Sequence, residues 1–273
     1  MKGLILILVL FSGIASAIAQ EKIWLDKDYK WTADSTQAIR YAFISQIDKK
    51  HIEVEEYTLN GQRKDVWHFS EYKSAPRKRI REGIHTVFYT NGKDSLTEVY
   101  KNNRLEGQAM VHYPDGTLHF AQSYKDGKLD GKFLQYYPDG KLRREEYYSE
   151  NQCNNGKLFD ENGTEIEHQP YFIPPAFPGG IENLIKLVAN VTKYPEDAWK
   201  KKAEGRVILQ FFVNEEGKMT YPEVIQSVRY DIDKEALRAF KDISEVYRWS
   251  PGYKDGKAIS VKFTLPLYFR IPN

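Results

Sequence analysis

Residues 258–271 read AISVKFTLPLYFRI, and they alternate without a break: Ile259, Val261, Phe263, Leu265, Leu267 and Phe269 on one side, Ser260, Lys262, Thr264, Tyr268 and Arg270 on the other. A period of two marks a half-buried β-strand, so helices are expected over the apolar face. Upstream, GRVILQFFV (205–213) is apolar on both sides apart from Arg206 and Gln210, which places it at the centre of a sheet. The turn NEEGK follows it, and then a strand near Lys218 to Ser227.

Helical spacing surrounds these strands. From about Asp231 to Tyr247, Ile232, Ala236, Leu237, Phe240 and Ile243 form one stripe. Pro195 reads as the first residue of a short helix, with Glu196 and Asp197 in its first turn and Lys200 to Lys202 near its end, charges that suit the helix dipole. After Phe177-Pro-Gly-Gly180, Ile181, Leu184, Ile185, Val188 and Val191 repeat at i, i+3, i+4 and i+7. The expected fold here is α+β: a three-stranded antiparallel sheet with two or three helices.

The order and spacing of Tyr194-Pro195, Glu204-Gly205, Gly217, Trp249, Pro251-Gly252, Gly256 and Val261-x-Phe263 resemble TonB C-terminal domains. The resemblance covers residues 177–271. It implies a domain that grips an extended segment of a protein partner, with a TonB-dependent outer-membrane transporter as the candidate. One departure stands out: members of the transporter-coupling type carry glutamines before Tyr-Pro, whereas here Val191, Thr192 and Lys193 stand there.

The chain opens with one lysine, a Leu/Ile/Val run and the small residues SGIASAIA, so Met1 to Ala19 reads as a secretory signal peptide and the mature protein is expected to begin near Gln20 in the periplasm. The competing reading is an uncleaved inner-membrane anchor, since Gly3 to Ala19 at about 1.5 Å per residue just spans a thin hydrocarbon core. Membrane contact is expected only in that case, and an anchored chain would be a TonB-type energy transducer. No cysteine follows the cleavage point, which excludes a lipoprotein of the usual bacterial kind.

With 41% hydrophobic and 29% charged residues, the chain is ordinary globular material for two domains, and a net charge of +2 argues against nucleic acid. The densest basic cluster, Arg77-Lys78-Arg79 with Arg81, reads as a solvated loop. Cys153 stands alone in a polar loop and reads as a surface thiol.

From about Arg40 to Glu167 the chain repeats itself: Gly83, Gly107, Gly131 and Gly156 lie 24, 24 and 25 residues apart. Turn sequences recur in register and end at Gly92, Gly116, Gly140 and Gly163, and each Asn-Gly or Asp-Gly lies between strand-like runs, a strong hairpin signal. Tyr100, Tyr124 and Tyr148 form a second aromatic column. One unit is one hairpin, and stacked hairpins make a long antiparallel sheet, an all-β repeat domain over residues 20–167. Over residues 83–165 these units resemble MORN repeats of the bacterial variant, with residues 40–72 as a divergent first hairpin and cap. Four prolines in HQPYFIPPAFP then mark residues 168–176 as a semi-rigid linker to a domain at 177–273.

No catalytic signature emerges. Ser70-x-x-Lys73 lacks the Ser-Asp-Asn and Lys-Thr-Gly elements that would complete an acyl-transfer site. If Tyr113 opposes Leu118, His112 and His119 become cross-strand neighbours, but Phe88 with Ser95 and Tyr136 with Arg143 at the matching positions offer no third metal ligand. We expect no enzyme, no cofactor and no metal.

Two functional classes remain. One is a periplasmic adaptor whose C-terminal domain binds its partner; the other is an envelope scaffold binding through the repeat sheet. For the first, the open sheet edge decides the site. Pro222 interrupts one edge, whereas Ala258, Ile259, Ser260, Val261, Lys262, Phe263 and Thr264 read as an unbroken run of backbone donors before Pro266. The resemblance adds Lys193 and Tyr194.

Overall fold

A computed structural model describes residues 20–271. Met1–Ala19, the stretch expected to be a signal peptide, lies outside them. No helix among the described residues is long and apolar enough to cross a membrane. The chain divides into two units, at residues 1–168 and 169–273.

In the first unit the described residues form a 14-stranded antiparallel sheet in which most neighbours in sequence are neighbours in space. Each repeat hairpin closes on a five-residue turn. The Tyr113 N–H donates to the Thr117 carbonyl (2.8 Å), the Gly116 N–H to the Tyr113 carbonyl (2.8 Å), and Asp115 Oδ1 accepts the Thr117 N–H (2.8 Å). Only the glycine takes positive φ, at 82°, 94°, 83° and 85° for Gly92, Gly116, Gly140 and Gly163. This is an ordinary turn plus a one-residue bulge. The return loops are tighter, with two successive positive-φ residues such as Asn102 and Asn103.

Units are tied to one another at equivalent positions. The Tyr89, Tyr113 and Tyr137 hydroxyls donate to the carbonyls of His112 (2.6 Å), Tyr136 (2.9 Å) and Phe159 (2.9 Å) in the next hairpin. On the inner column, the Tyr100, Tyr124 and Tyr148 hydroxyls donate to Glu98, Gln122 and Glu146, each two residues earlier. A turn that slips therefore loosens its neighbour. For Gly116→Val we expect about 1–3 kcal/mol lost to φ strain at a β-branched residue, with less cooperative melting of the repeat sheet. A melting curve matching the parent would show that the turn tolerates a side chain.

The bulge corrects the expected histidine pair. Since Tyr113 closes on Thr117, His112 faces Leu118, and His119 instead stacks on the Tyr113 ring at 4.2 Å. The segment expected as a cap holds this unit's apolar cluster. Ile23 and Leu25 of the strand Gln20–Leu25 pack with Ala42, Val54, Phe69 and Tyr72. Cys153 lies on the strand Gln152–Phe159, half-buried, and not in a loop. The basic cluster is only partly solvated, because Arg79 is half-buried and hydrogen-bonded to three backbone carbonyls.

The second unit places Gly205–Val213 between Met219–Gln226 and Val261–Phe269, all antiparallel. Helices α1 (Gly180–Val191), α2 (Glu196–Lys200) and α3 (Tyr230–Val246) accompany it. Leu184 and Val188 of α1, with Ile232, Ala236, Phe240 and Ile243 of α3, pack with Val207, Leu209, Phe211, Leu265 and Leu267 of the sheet. Pro195 sits one residue outside α2, with extended backbone. The proline-rich stretch is no free linker: Phe172–Ile173 pairs with Gly252–Lys254, and Ala176 bridges to Ser250.

Candidate functional site

The closing segment is two strands. Lys257–Ile259 folds back on Gly252–Lys254 through Asp255-Gly256, so Ala258 pairs with Tyr253 and Ile259 with Gly252 in a separate small sheet. Only Val261–Phe269 joins the main sheet. Ala258, Ile259 and Ser260 are thus not on its edge, which corrects the expected run of donors. The alternation of side chains passes through the break because both strands keep the same period.

The ladder decides which amides of the closing strand are free. Bonded and non-bonded pairs alternate along an antiparallel ladder. Pro266 opposes Ile208 and has no N–H, so it fits where its nitrogen faces away from the partner strand. Lys262, Thr264 and Tyr268 share its parity and face outward, while Val261, Phe263 and Leu265 bond inward to Val213, Phe211 and Leu209. The opposite edge is blunted by Tyr221-Pro222, where Tyr221 has φ 51° and the register slips. On the face away from the helices, the Lys262 ammonium lies 5.5 Å from the centre of the Phe212 ring.

Lys193 and Tyr194 lie elsewhere. The Tyr194 ring meets Phe269 at 5.9 Å, at the far end of the closing strand, roughly 23 Å from Lys262 at about 3.3 Å per residue. The structure does not bring these two parts of the expected site together. The Lys193 N–H donates to Glu235, and Arg238 donates both to Glu235 and to the Val191 carbonyl, which pins the loop between α1 and α2 onto α3. Burial pulls the Glu235 carboxyl upward, but hydrogen bonds from Arg238 and the Lys193 N–H outweigh it and hold the group below the usual carboxylate range. Burial, with the nearby Glu204 charge, raises the Tyr194 hydroxyl. Tyr194, Tyr230, Lys234 and Arg238 line a cavity of about 410 Å³ there. A lone Glu or Arg on a helix gave no sign of this clamp.

Among the described residues, one group of metal-ligating side chains occurs: Glu146, Cys153 and His168 place ligand atoms within 4.8 Å of one another. The donor set does not fit a cation. Glu146 Oε1 already accepts from the Arg144 guanidinium and from His168 (2.9 Å), Oε2 accepts from Tyr148 (2.7 Å), and burial raises the Cys153 thiol, opposing the thiolate a metal needs.

Comparison with known proteins follows this division. Residues 190–271 match the family described as Gram-negative bacterial TonB protein C-terminal, and residues 129–150 match the MORN repeat variant. Among curated proteins none matches the chain. Two solution structures of the Helicobacter pylori TonB C-terminal domain are similar at 20% identity. One, of residues 179–285, aligns over 34% of this chain and 78% of its own length with a TM-score of 0.28; the other, of residues 194–285, over 33% and 90% with a TM-score of 0.27. By the family models, then, the segment at 190–271 is similar to TonB C-terminal domains and follows a stretch at 129–150 similar to the MORN repeat variant.

Proposed function

We propose that this protein is a non-enzymatic adaptor of the Gram-negative envelope, exported through Met1–Ala19. Its C-terminal domain takes an extended segment of a protein partner as an added strand beside Val261–Phe269, in the service of outer-membrane transport. The observation that carries this reading is the open edge of a sheet whose other edge is blocked by Pro222. The family match at residues 190–271 supports a protein-binding role. Strand addition relies on main-chain hydrogen bonds, so it tolerates many side chains but not the loss of a donor.

The test is substitution by parity. Lys262→Pro removes an outward donor and leaves the inward ladder intact, whereas Lys262→Ala keeps the donor. We expect Lys262→Pro in the full chain to weaken capture of envelope partners at least about tenfold, from one lost backbone bond of about 0.5–1.5 kcal/mol plus the ring's obstruction of the incoming strand. Lys262→Ala should capture as the parent does. Equal capture by Lys262→Pro and the parent, with melting unchanged, would rule out this edge. Loss with both variants would assign the contact to the lysine side chain.

A further inference from the structure

A cleft in the first unit carries more positive charge than its own carboxylates can match. The segment after Glu71 leaves the sheet, makes one short turn at Pro76–Lys78 and re-enters at Ile80. Two adjoining cavities flank that turn and share Arg77, Arg79 and Asn103 as walls. One, of about 760 Å³, is bordered by Lys73 and Lys78. The other, of about 580 Å³, has Tyr29, Trp67 and Phe69 as apolar walls and Arg81 at its rim. That volume is typical of small-molecule sites.

Each carboxylate lining the cavities has an ion-pair partner, though Glu56 and Asp65 share one. Glu56 and Asp65 each accept from Arg40, at 3.2 and 3.0 Å, and Asp65 also meets His85 at 3.2 Å. Asp28 pairs with Lys30 and Glu71 with Lys73, each at 3.4 Å. Arg77, Lys78, Arg79 and Arg81 form no ion pair among the described residues. Such a run on a loop is ordinarily just solvated, but Arg79 is built into the wall and Arg81, though exposed, is held over aromatic rings. Arg79 is half-buried and fixed by the carbonyls of Lys73 (2.8 Å), Tyr29 (2.6 Å) and Ser74 (3.2 Å), with its guanidinium 4.2 Å from the Tyr72 ring. Burial pushes its pKa down, and the nearby Tyr72 and Glu56 only partly oppose that. The Arg81 guanidinium lies over Trp67 and Tyr100, 4.9 and 5.2 Å from the ring centres. Trp67 is itself held by stacking on His85 at 3.3 Å.

We propose that this cleft binds a small oxyanion, a carboxylate or a phosphate, carried on an aromatic body. The charged group sits among Arg77, Lys78 and Arg81, with Arg79 behind it, and the ring lies against Trp67 and Phe69. Planar guanidinium groups held on aromatic faces are pre-organised for oxyanions, because little side-chain freedom is left to lose. A bare ion satisfies the cations but leaves the apolar wall wet, and an aromatic cation meets only the wall.

The experiment is a titration of the full chain followed by the indole N–H resonance of Trp67, assigned with Trp67→Phe. Phenyl phosphate and phenylacetate should each shift it saturably, and the tighter of the two names the preferred oxyanion. Inorganic phosphate should bind at least about tenfold more weakly for lack of the ring, and benzylamine should not bind. The double variant Arg77→Gln/Arg81→Gln, at exposed positions, should lose at least about tenfold in affinity for the better probe. Lys78→Glu, also exposed, should act in the same direction and serves if the double variant melts early. Three results would each overturn the proposal: no saturable shift of Trp67 with either aromatic anion up to about 10 mM, equal affinity in the parent and both variants, or binding of benzylamine as tight as that of the anions. Adsorption to phosphatidylglycerol vesicles without any small-molecule binding would likewise overturn it, in favour of a membrane surface.

Discussion

Gly217→Ala should unfold the C-terminal unit at temperatures where the parent is intact. Gly217 closes the turn after the central strand, where Asn214 N–H donates to the Lys218 carbonyl and Gly217 N–H to the Asn214 carbonyl, both at 2.9 Å. Its φ is +74°, and a β-carbon there would lie 2.0 Å from the carbonyl oxygen of Trp249. The contact is close because the two backbones are bonded, with Trp249 N–H donating to the Gly217 carbonyl at 2.9 Å. Trp249 cannot retreat freely, since its ring packs on Phe177, Phe211 and Phe263 in the core. Left-handed strain costs about 1–3 kcal/mol, and forcing the backbones apart costs a further 1–3 kcal/mol or so. Against a usual total stability of about 5–15 kcal/mol that is a large fraction. Gly256→Ala is the control, because φ is again +74° but nothing lies within 4 Å of the added carbon. Thermal melts followed by the near-ultraviolet signal of Trp249 should show Gly217→Ala losing clearly more than Gly256→Ala. Equal losses would mean that φ strain is the whole effect.

The same contrast explains what could be read from the residues alone. The central strand, both long helices and the repeat turns follow from period and turn chemistry, which are local. The break at Ser260 was missed because Ile259 and Val261 continue the alternation, although Asp255-Gly256 between two short strand-like runs is the same hairpin signal that located the repeats. The His112 register was missed because the bulge at Gly116 adds a residue that no side-chain pattern records. The clamp of Arg238 and Glu235 on the Lys193 loop joins residues 42 and 47 positions apart, beyond any local pattern. Charge matching in the cleft around Arg79 is likewise non-local, since its carbonyl partners include Tyr29, 50 residues away.

The last such case is the charged row RREEYY at residues 143–148, which looks like a solvated strand. The 24-residue period says otherwise: Glu98, Gln122 and Glu146 occupy one column, each beneath its own tyrosine hydroxyl. In the structure Arg144 is 1% exposed and Glu146 fully buried, with Gln135 Oε1 3.3 Å from Arg144 Nε. A buried ion pair adds little net stability over apolar packing, but breaking one by removing a single partner is costly. Glu146→Ala deprives Arg144 of this carboxylate and Tyr148 and His168 of their acceptor. We expect a loss of about 3–5 kcal/mol in the repeat unit, read as a lower urea midpoint of the first unit's transition. The paired change Arg144→Met with Glu146→Leu removes the buried cation as well and keeps the volume, leaving Tyr148, His168 and Gln135 to lose these bonds at about 1–3 kcal/mol for a group left unsatisfied. The double variant should therefore be more stable than Glu146→Ala alone. If the double variant falls as far as the single one, the network contributes through the tyrosine and histidine bonds and not through the ion pair, and the inner column is held by its hydroxyls.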